Sequence, residues 1–218
     1  MPSGADSVAD LAPGGRLARS LPGYEARDAQ LRMAGAVADT LEHGGVLVVE
    51  AGTGTGKSLA YLVPAIRRAR LHHERVLVST RTINLQEQLI HTDLPFLQKH
   101  LGIEFRAALV KGRTNYLCLR KANAIREQPK LLEDEAVRSE LDTLLAWSRE
   151  TEDGSLADLG FLPRADAWTH VRVEHDDCLR GRCPEYDACF FYRARRAAAQ
   201  ADVLVVNHSL LMADQALR

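Results

Sequence analysis

The sequence predicts an α/β fold: a parallel sheet with helices on both faces, interrupted by an insertion. Three observations predict it. Short apolar runs at 46–49, 76–78, 106–110 and 203–206 alternate with stretches of helical spacing. A glycine-rich segment, Ala51-Gly52-Thr53-Gly54-Thr55-Gly56-Lys57-Ser58, joins the first apolar run to the helical stretch Leu59-Ala60-Tyr61-Leu62-Val63. Between Gly112 and about Ala201 the alternation stops, and this segment holds all four cysteines and both tryptophans.

The elements are taken in chain order. Residues 1–20 are rich in Gly, Ala, Ser and Pro and are expected to be a flexible lead-in. Residues 27–42 have helical spacing, with Leu31, Ala34, Val37, Ala38 and Leu41 on one side, and Gly44-Gly45 ends that helix. A strand over 46–50 feeds the glycine-rich loop, and a helix runs from Lys57 to about Arg70. The strand Val76-Leu77-Val78 ends in Ser79-Thr80. A helical stretch from Ile83 to about His100 is interrupted by Pro95. Strands are expected over 106–110 and, after the insertion, over 203–206. The expected domains are the lead-in (1–20), the first part of a nucleotide-binding domain (21–112), an insertion (113–200) and the return to the first domain (201–218).

The whole chain sets bounds on function. Its 218 residues suit one large domain or one domain with an insertion, and 46% hydrophobic content supports a sizeable core. A net charge of −1 announces no nucleic-acid partner, but the charge is uneven. Residues 105–126 carry Arg106, Lys111, Arg113, Arg120, Lys121 and Arg126 and no acid, whereas 127–158 are strongly acidic. No run of 18 apolar residues exists, so no membrane span is predicted. Asp6 and Asp10 precede any apolar stretch, which excludes a secretory signal and makes the cytoplasm the expected location.

The loop has a direct chemical reading. Gly52, Gly54 and Gly56 let the backbone turn tightly and approach a phosphate. Backbone N–H groups at a helix start then cradle the anion, where the helix dipole also favours it. Lys57 is placed to reach the β- and γ-phosphates, and Ser58 to hold Mg²⁺. The strict phosphate-loop pattern has Gly where this chain has Ala51.

Cys118, Cys178, Cys183 and Cys189 are spaced as one plus three. Four thiolates can hold Zn²⁺ tetrahedrally or carry a 4Fe-4S cluster. Structural zinc sites usually pair ligands closely, often as Cys-x-x-Cys, so the wider gaps lean toward the cluster. Arg113, Arg180 and Arg182 are close in sequence and suited to offsetting the negative charge.

Together these pieces resemble the DinG/XPD group of superfamily 2 DNA helicases, the iron–sulfur helicases, over residues 22–218. The resemblance is carried by Arg27-Asp28-Ala29-Gln30, by Glu50 through Ser58, by Ser79-Thr80-Arg81-Thr82-Ile83-Asn84-Leu85-Gln86-Glu87-Gln88-Leu89, by Lys111-Gly112-Arg113-Thr114-Asn115-Tyr116-Leu117-Cys118, by the three-cysteine cluster and by Val205-Val206-Asn207-His208. It implies a RecA-like first motor domain interrupted by a mainly helical Fe–S domain, with Ala usual at the place of Ala51. It implies that Gln30 reads the adenine edge of ATP, that Lys57 and Ser58 bind phosphates and Mg²⁺, and that the four cysteines ligate a 4Fe-4S cluster. Thr80, Arg81, Asn84 and Arg113 are the implied contacts to single-stranded or forked DNA, with Tyr116 or Trp147 stacking on bases.

Members of this group hydrolyse ATP with an Asp-Glu-Ala-His motif at the end of a later strand. The nearest match, Asp134-Glu135-Ala136-Val137, sits in acidic, helical surroundings and is rejected. The expectation is therefore an N-terminal piece of a 5′–3′ helicase, awaiting a second motor domain, that binds nucleotide and DNA but does not unwind alone. Two alternatives stand beside it: a nucleotide- and DNA-binding Fe–S module without catalysis, and another phosphate-loop enzyme with a zinc-bound insertion.

Overall fold

The computed structural model describes residues 4–21, 23–127 and 134–216. It divides into two compact units: Met1–Leu109 with Gln200–Arg218, and Val110–Ala199.

The first unit holds a three-stranded sheet in the order β1-β3-β2, from β1 (Val76–Thr80), β2 (Ala107–Val110) and β3 (Val203–Asn207). β1 and β3 run parallel, with Val76 opposite Val203 and Thr80 opposite Asn207. The flanking helices are α1 (Gly4–Leu11), α2 (Arg16–Ser20), α3 (Asp28–His43), α4 (Lys57–His72), α5 (Ile83–Gln88), α6 (Leu94–His100) and α11 (His208–Ala216). The core is formed by Leu62, Val63 and Ile66 of α4 against Leu89, Leu94, Leu97, Val203 and Val205, with Ala34 of α3 behind. This is the α/β architecture expected, a parallel sheet flanked by helices as in RecA-like motor domains.

Three local expectations are corrected. Residues 46–50 form no strand, and Val46 and Val48 stand 94% and 90% exposed. A buried parallel strand requires paired backbone groups. Among the described residues, the only sheet pairs β1, β3 and β2 with one another.

The lead-in is not loose: its described part forms α1 and α2. Leu11 and Leu17 are fully buried, and Arg67 of α4 donates from Nε and Nη2 to Asp10 Oδ2 at 3.0 and 2.5 Å. The small residues that suggested disorder serve close packing instead. A Cβ on Gly15 would lie 2.2 Å from the Ala9 carbonyl.

Pro95 does not break the helical path. A π-helical turn, Leu89–Asp93, links α5 to α6, and Pro95 falls in the first turn of α6. Proline is tolerated in a first turn, where its fixed φ is already helical.

The second unit is mainly helical, with α7 (Leu119–Glu127), α8 (Glu135–Trp147), α9 (Ala165–Val171) and α10 (Phe190–Ala199). Its own core joins Leu117, Leu141, Leu144, Trp168, Val171, Phe190 and Phe191. The Asp134 carboxylate accepts from the N–H groups of Ala136 and Val137, so it is a helix cap rather than a metal ligand. Gly154 fixes the loop against this core. Its φ is +65°, and a Cβ there would lie 2.2 Å from the buried Phe190 ring. Gly154→Ala is expected to destabilise this unit by about 2–5 kcal/mol, from the left-handed backbone and the overpacking together. Urea unfolding followed by tryptophan fluorescence checks this, because both tryptophans, Trp147 and Trp168, lie in this unit.

Candidate functional sites

The glycine-rich loop runs straight into α4. Gly54 and Gly56 take φ of +76° and +75°, a region that disfavours any Cβ. Thr55 Oγ1 donates to the Gly52 carbonyl at 3.0 Å and tightens the turn. Lys57 Nζ folds back over the loop and donates to the carbonyls of Ala51 and Gly52, both at 2.7 Å. Its ammonium thus sits on the loop's own backbone, partnered by neutral oxygens that an anionic phosphate can outcompete. Thr53 is exposed at the tip, and Ser58 occupies the first turn of α4.

Gln30 arrives from α3. It is 4% exposed, its Nε2 donates to the Gly56 carbonyl at 3.1 Å, and its Oε1 accepts from the Tyr24 hydroxyl at 2.8 Å. The Tyr24 hydroxyl also lies 2.7 Å from the Leu11 carbonyl, which ties Gln30 to α1. A Cβ on Gly56 would lie 2.1 Å from Gln30 Nε2, so a larger residue there would displace that amide as well as strain the left-handed backbone. Tyr24 was not predicted. Its only sequence signal is its position six residues before Gln30.

In the second unit, Cys118, Cys178, Cys183 and Cys189 line one pocket, together with Arg120, Lys121, Glu174, Asp177 and Tyr192. Three local devices bring them there. Cys118 N–H donates to the Val171 carbonyl at 2.6 Å, just before α7. A 3-10 turn, Arg180–Arg182, with Arg180 at φ +52°, carries the chain from Cys178 to Cys183. Cys189 immediately precedes α10. Burial pushes the Cys189 thiol up, and the neighbouring Cys118 and Cys178 add to that. The basic side chains on the pocket wall are Arg120 and Lys121, not the expected Arg180 and Arg182. Lys121 is paired with Asp177 at 2.9 Å. Among the described residues no three His, Cys, Asp or Glu side chains are drawn together as ligands of one metal ion.

The profile of the DEAD/DEAH box helicases matches residues 32–147, more than half of the chain. The chain belongs to this helicase family. Among its relatives is the ATP-dependent DNA helicase YoaA of Escherichia coli K12, 42% identical over 213 residues, covering 96% of this chain and 32% of that protein. The ATP-dependent helicase DinG of Mycobacterium tuberculosis H37Rv is 45% identical over 205 residues, covering 86% of this chain and 31% of that protein. The 3'-5' exonuclease DinG of Bacillus subtilis is 34% identical, covering 91% of this chain and 21% of that protein. The chain therefore spans about a third or less of the length of these relatives.

The expected nucleic-acid contacts divide by exposure. Arg81 and Asn84 are exposed just past β1. Thr80 is 3% exposed, and its hydroxyl donates to the Thr82 carbonyl, so its side chain is turned inward. Arg113 stacks on the Phe191 ring at 5.2 Å, with Nη1 buried and unpartnered among the described residues. Tyr116 cannot stack on a base: it is 4% exposed, packs edge-on against Phe191, and burial pushes its hydroxyl pKa up to about 12. Trp147 packs against the second core. The basic run is largely consumed internally, Lys111 on Ser155, Arg120 on the Asp177 carbonyl and Arg126 on Ser148. No helix among the described residues is long and apolar enough to cross a membrane.

Proposed function

We propose that this chain supplies the nucleotide-binding part of an ATP-dependent DNA helicase that moves 5′ to 3′ on single-stranded DNA, acting in the cytoplasm. The observation that carries the reading is the loop 51–58, with two left-handed glycines at the head of α4 and Lys57 poised over its carbonyls. Lys57 binds the β- and γ-phosphates, Ser58 holds Mg²⁺, the loop N–H groups cradle the anion, and Gln30 meets the adenine edge once its amide turns from the Gly56 carbonyl and the Tyr24 hydroxyl. Arg81 and Asn84 offer phosphate contacts for DNA. The one Asp-Glu-Ala match in the sequence, Asp134-Glu135-Ala136, caps α8 and ends no strand. The chain alone therefore binds without turnover, and a second motor domain completes the machine.

We further propose that the cysteine unit carries a 4Fe-4S cluster, which when bound cross-links the segments bearing Cys118 and Cys178–Cys189. The donor set supports this: four thiols share one wall with a cationic Arg120 and Lys121. A single Zn²⁺ is the second reading. Against it, no ligand trio is set closely enough for one ion. Iron and zinc analysis of anaerobically purified protein separates the two.

The functional test combines three assays on the purified chain. Fluorescence anisotropy is expected to show binding of labelled single-stranded DNA that weakens as salt rises. A fluorescent ATP analogue is expected to bind, and steady-state phosphate release to stay at background with or without DNA. Clear DNA-stimulated release would overturn the assignment of a binding-only chain.

A further inference from the structure

A pocket in the second unit has no part in the roles above. It encloses about 290 Å³ between α7 and α8 and shares no lining residue with the cysteine pocket. Three guanidinium groups, those of Arg126, Arg138 and Arg149, stand on its wall against one carboxylate, Asp142. Arg138, Asp142, Leu145 and Arg149 follow one another at helical spacing along α8 and the turn that ends it. Arg138 and Arg149 stand within the acidic run 127–158, yet they line the same pocket as Arg126 of α7.

Arg126 is the fixed member. Its Nη1 donates to Asn123 Oδ1 at 2.7 Å, and its Nη2 donates to the Leu145 carbonyl at 2.8 Å and to Ser148 Oγ at 2.5 Å. All three acceptors are neutral. Its Nε is buried with no hydrogen-bond partner among the described residues. Burial, and after it the like charge of Arg149, push the Arg126 guanidinium below its ordinary pKa. A half-buried cation held by neutral groups beside a second cation is stabilised by an incoming anion. Guanidinium forks match carboxylate and phosphate oxygens. A carboxylate brings one charge for one fork, whereas a phosphate brings up to two charges and oxygens on several sides. We propose that this pocket binds a phosphate group, with Arg126 as the fixed anchor and Arg138 and Arg149 reaching it from α8. The buried Leu141 and Leu145 lower the local dielectric and strengthen those contacts. Two sources share this chemistry: a small phosphate ligand and the backbone of single-stranded DNA.

The test uses the full chain carrying Lys57→Ala, which removes the glycine-rich loop as a competing phosphate site. Inorganic phosphate, titrated by calorimetry at low ionic strength, is expected to bind saturably, with acetate weaker by about tenfold or more. Arg149 is exposed, so Arg149→Met should keep the thermal midpoint while weakening phosphate about 3–10-fold. Arg126→Met should weaken it further, at some cost to stability because Leu145 and Ser148 lose a donor. Asp142→Asn should tighten phosphate, since it takes a repelling charge from the wall. These opposite signs separate a phosphate site from a merely structural cluster. The inference is overturned if phosphate does not bind saturably, if acetate binds as well, or if Arg149→Met and Asp142→Asn leave phosphate affinity unchanged. Anisotropy of labelled single-stranded DNA then identifies the source. A salt slope that falls by about 0.7 in Arg149→Met assigns the DNA backbone, and an unchanged slope assigns a small phosphate ligand.

Discussion

Cys189→Ser is expected to abolish the metal content of the chain and to unfold much of its second unit. Cys189 is half-buried at the head of α10, where burial and its neighbours Cys118 and Cys178 hold the thiol protonated. Only a bound cation makes four thiolates stable together in such a place. Losing one ligand weakens the site and restores repulsion among the remaining sulfurs. Metal binding in small thiolate sites carries roughly 10–16 kcal/mol of folding free energy for zinc, so one missing ligand removes a sizeable share of it. The unit's apolar core, built on Leu141, Leu144, Trp168 and Phe190, sets the remaining stability. The expected result is colourless protein, iron near zero, and rapid proteolysis within 110–199 while the first unit resists. Wild-type iron content in Cys189→Ser would remove Cys189 from the site.

Lys57→Ala is expected to weaken ATP binding sharply without disturbing the fold. In the structure the ammonium rests on the carbonyls of Ala51 and Gly52, and the exposed loop can hydrate those oxygens when the side chain is gone. A charge-assisted hydrogen bond contributes about 1.5–3 kcal/mol, and Lys57 would make more than one to the phosphates. Affinity should therefore fall by at least one to two orders of magnitude, with an unchanged thermal midpoint. Equilibrium titration of a fluorescent ATP analogue, paired with thermal unfolding, reads both quantities. Unchanged affinity in Lys57→Ala would take the lysine out of the nucleotide site.

Much of the architecture was written in local pattern. β1, β2 and β3 came from apolar runs, α3 from helical spacing ended by Gly44-Gly45, and α4 from the helix expected to run from Lys57 to about Arg70. The alternation of strand and helix stops after Gly112, close to where the second unit begins at Val110. The hidden features depend on distant partners. Residues 46–50 are apolar enough for a strand, but pattern alone does not supply a ladder. α1 looked like linker because its anchor, Arg67, lies 57 residues away from Asp10. Pro95 read as an interruption because a π-helical turn has no sequence signature. Tyr116 suggested an exposed ring beside Cys118, yet tertiary packing buries it.

The same division holds within the candidate sites. The loop glycines and Lys57 are contiguous, so spacing alone placed them. The cysteines span 118–189, and only the fold gathers them into one pocket. Gln30 was found by resemblance, whereas its fixing by Tyr24 and Gly56 required coordinates.

The most direct test of the nucleotide site is an experimental structure of the chain grown with Mg²⁺ and a non-hydrolysable ATP analogue. The phosphates should lie against the backbone N–H groups of the loop, with Lys57 Nζ moved from the Ala51 and Gly52 carbonyls onto them. Analogue bound elsewhere, or Lys57 still on its carbonyls beside an empty loop, would contradict it.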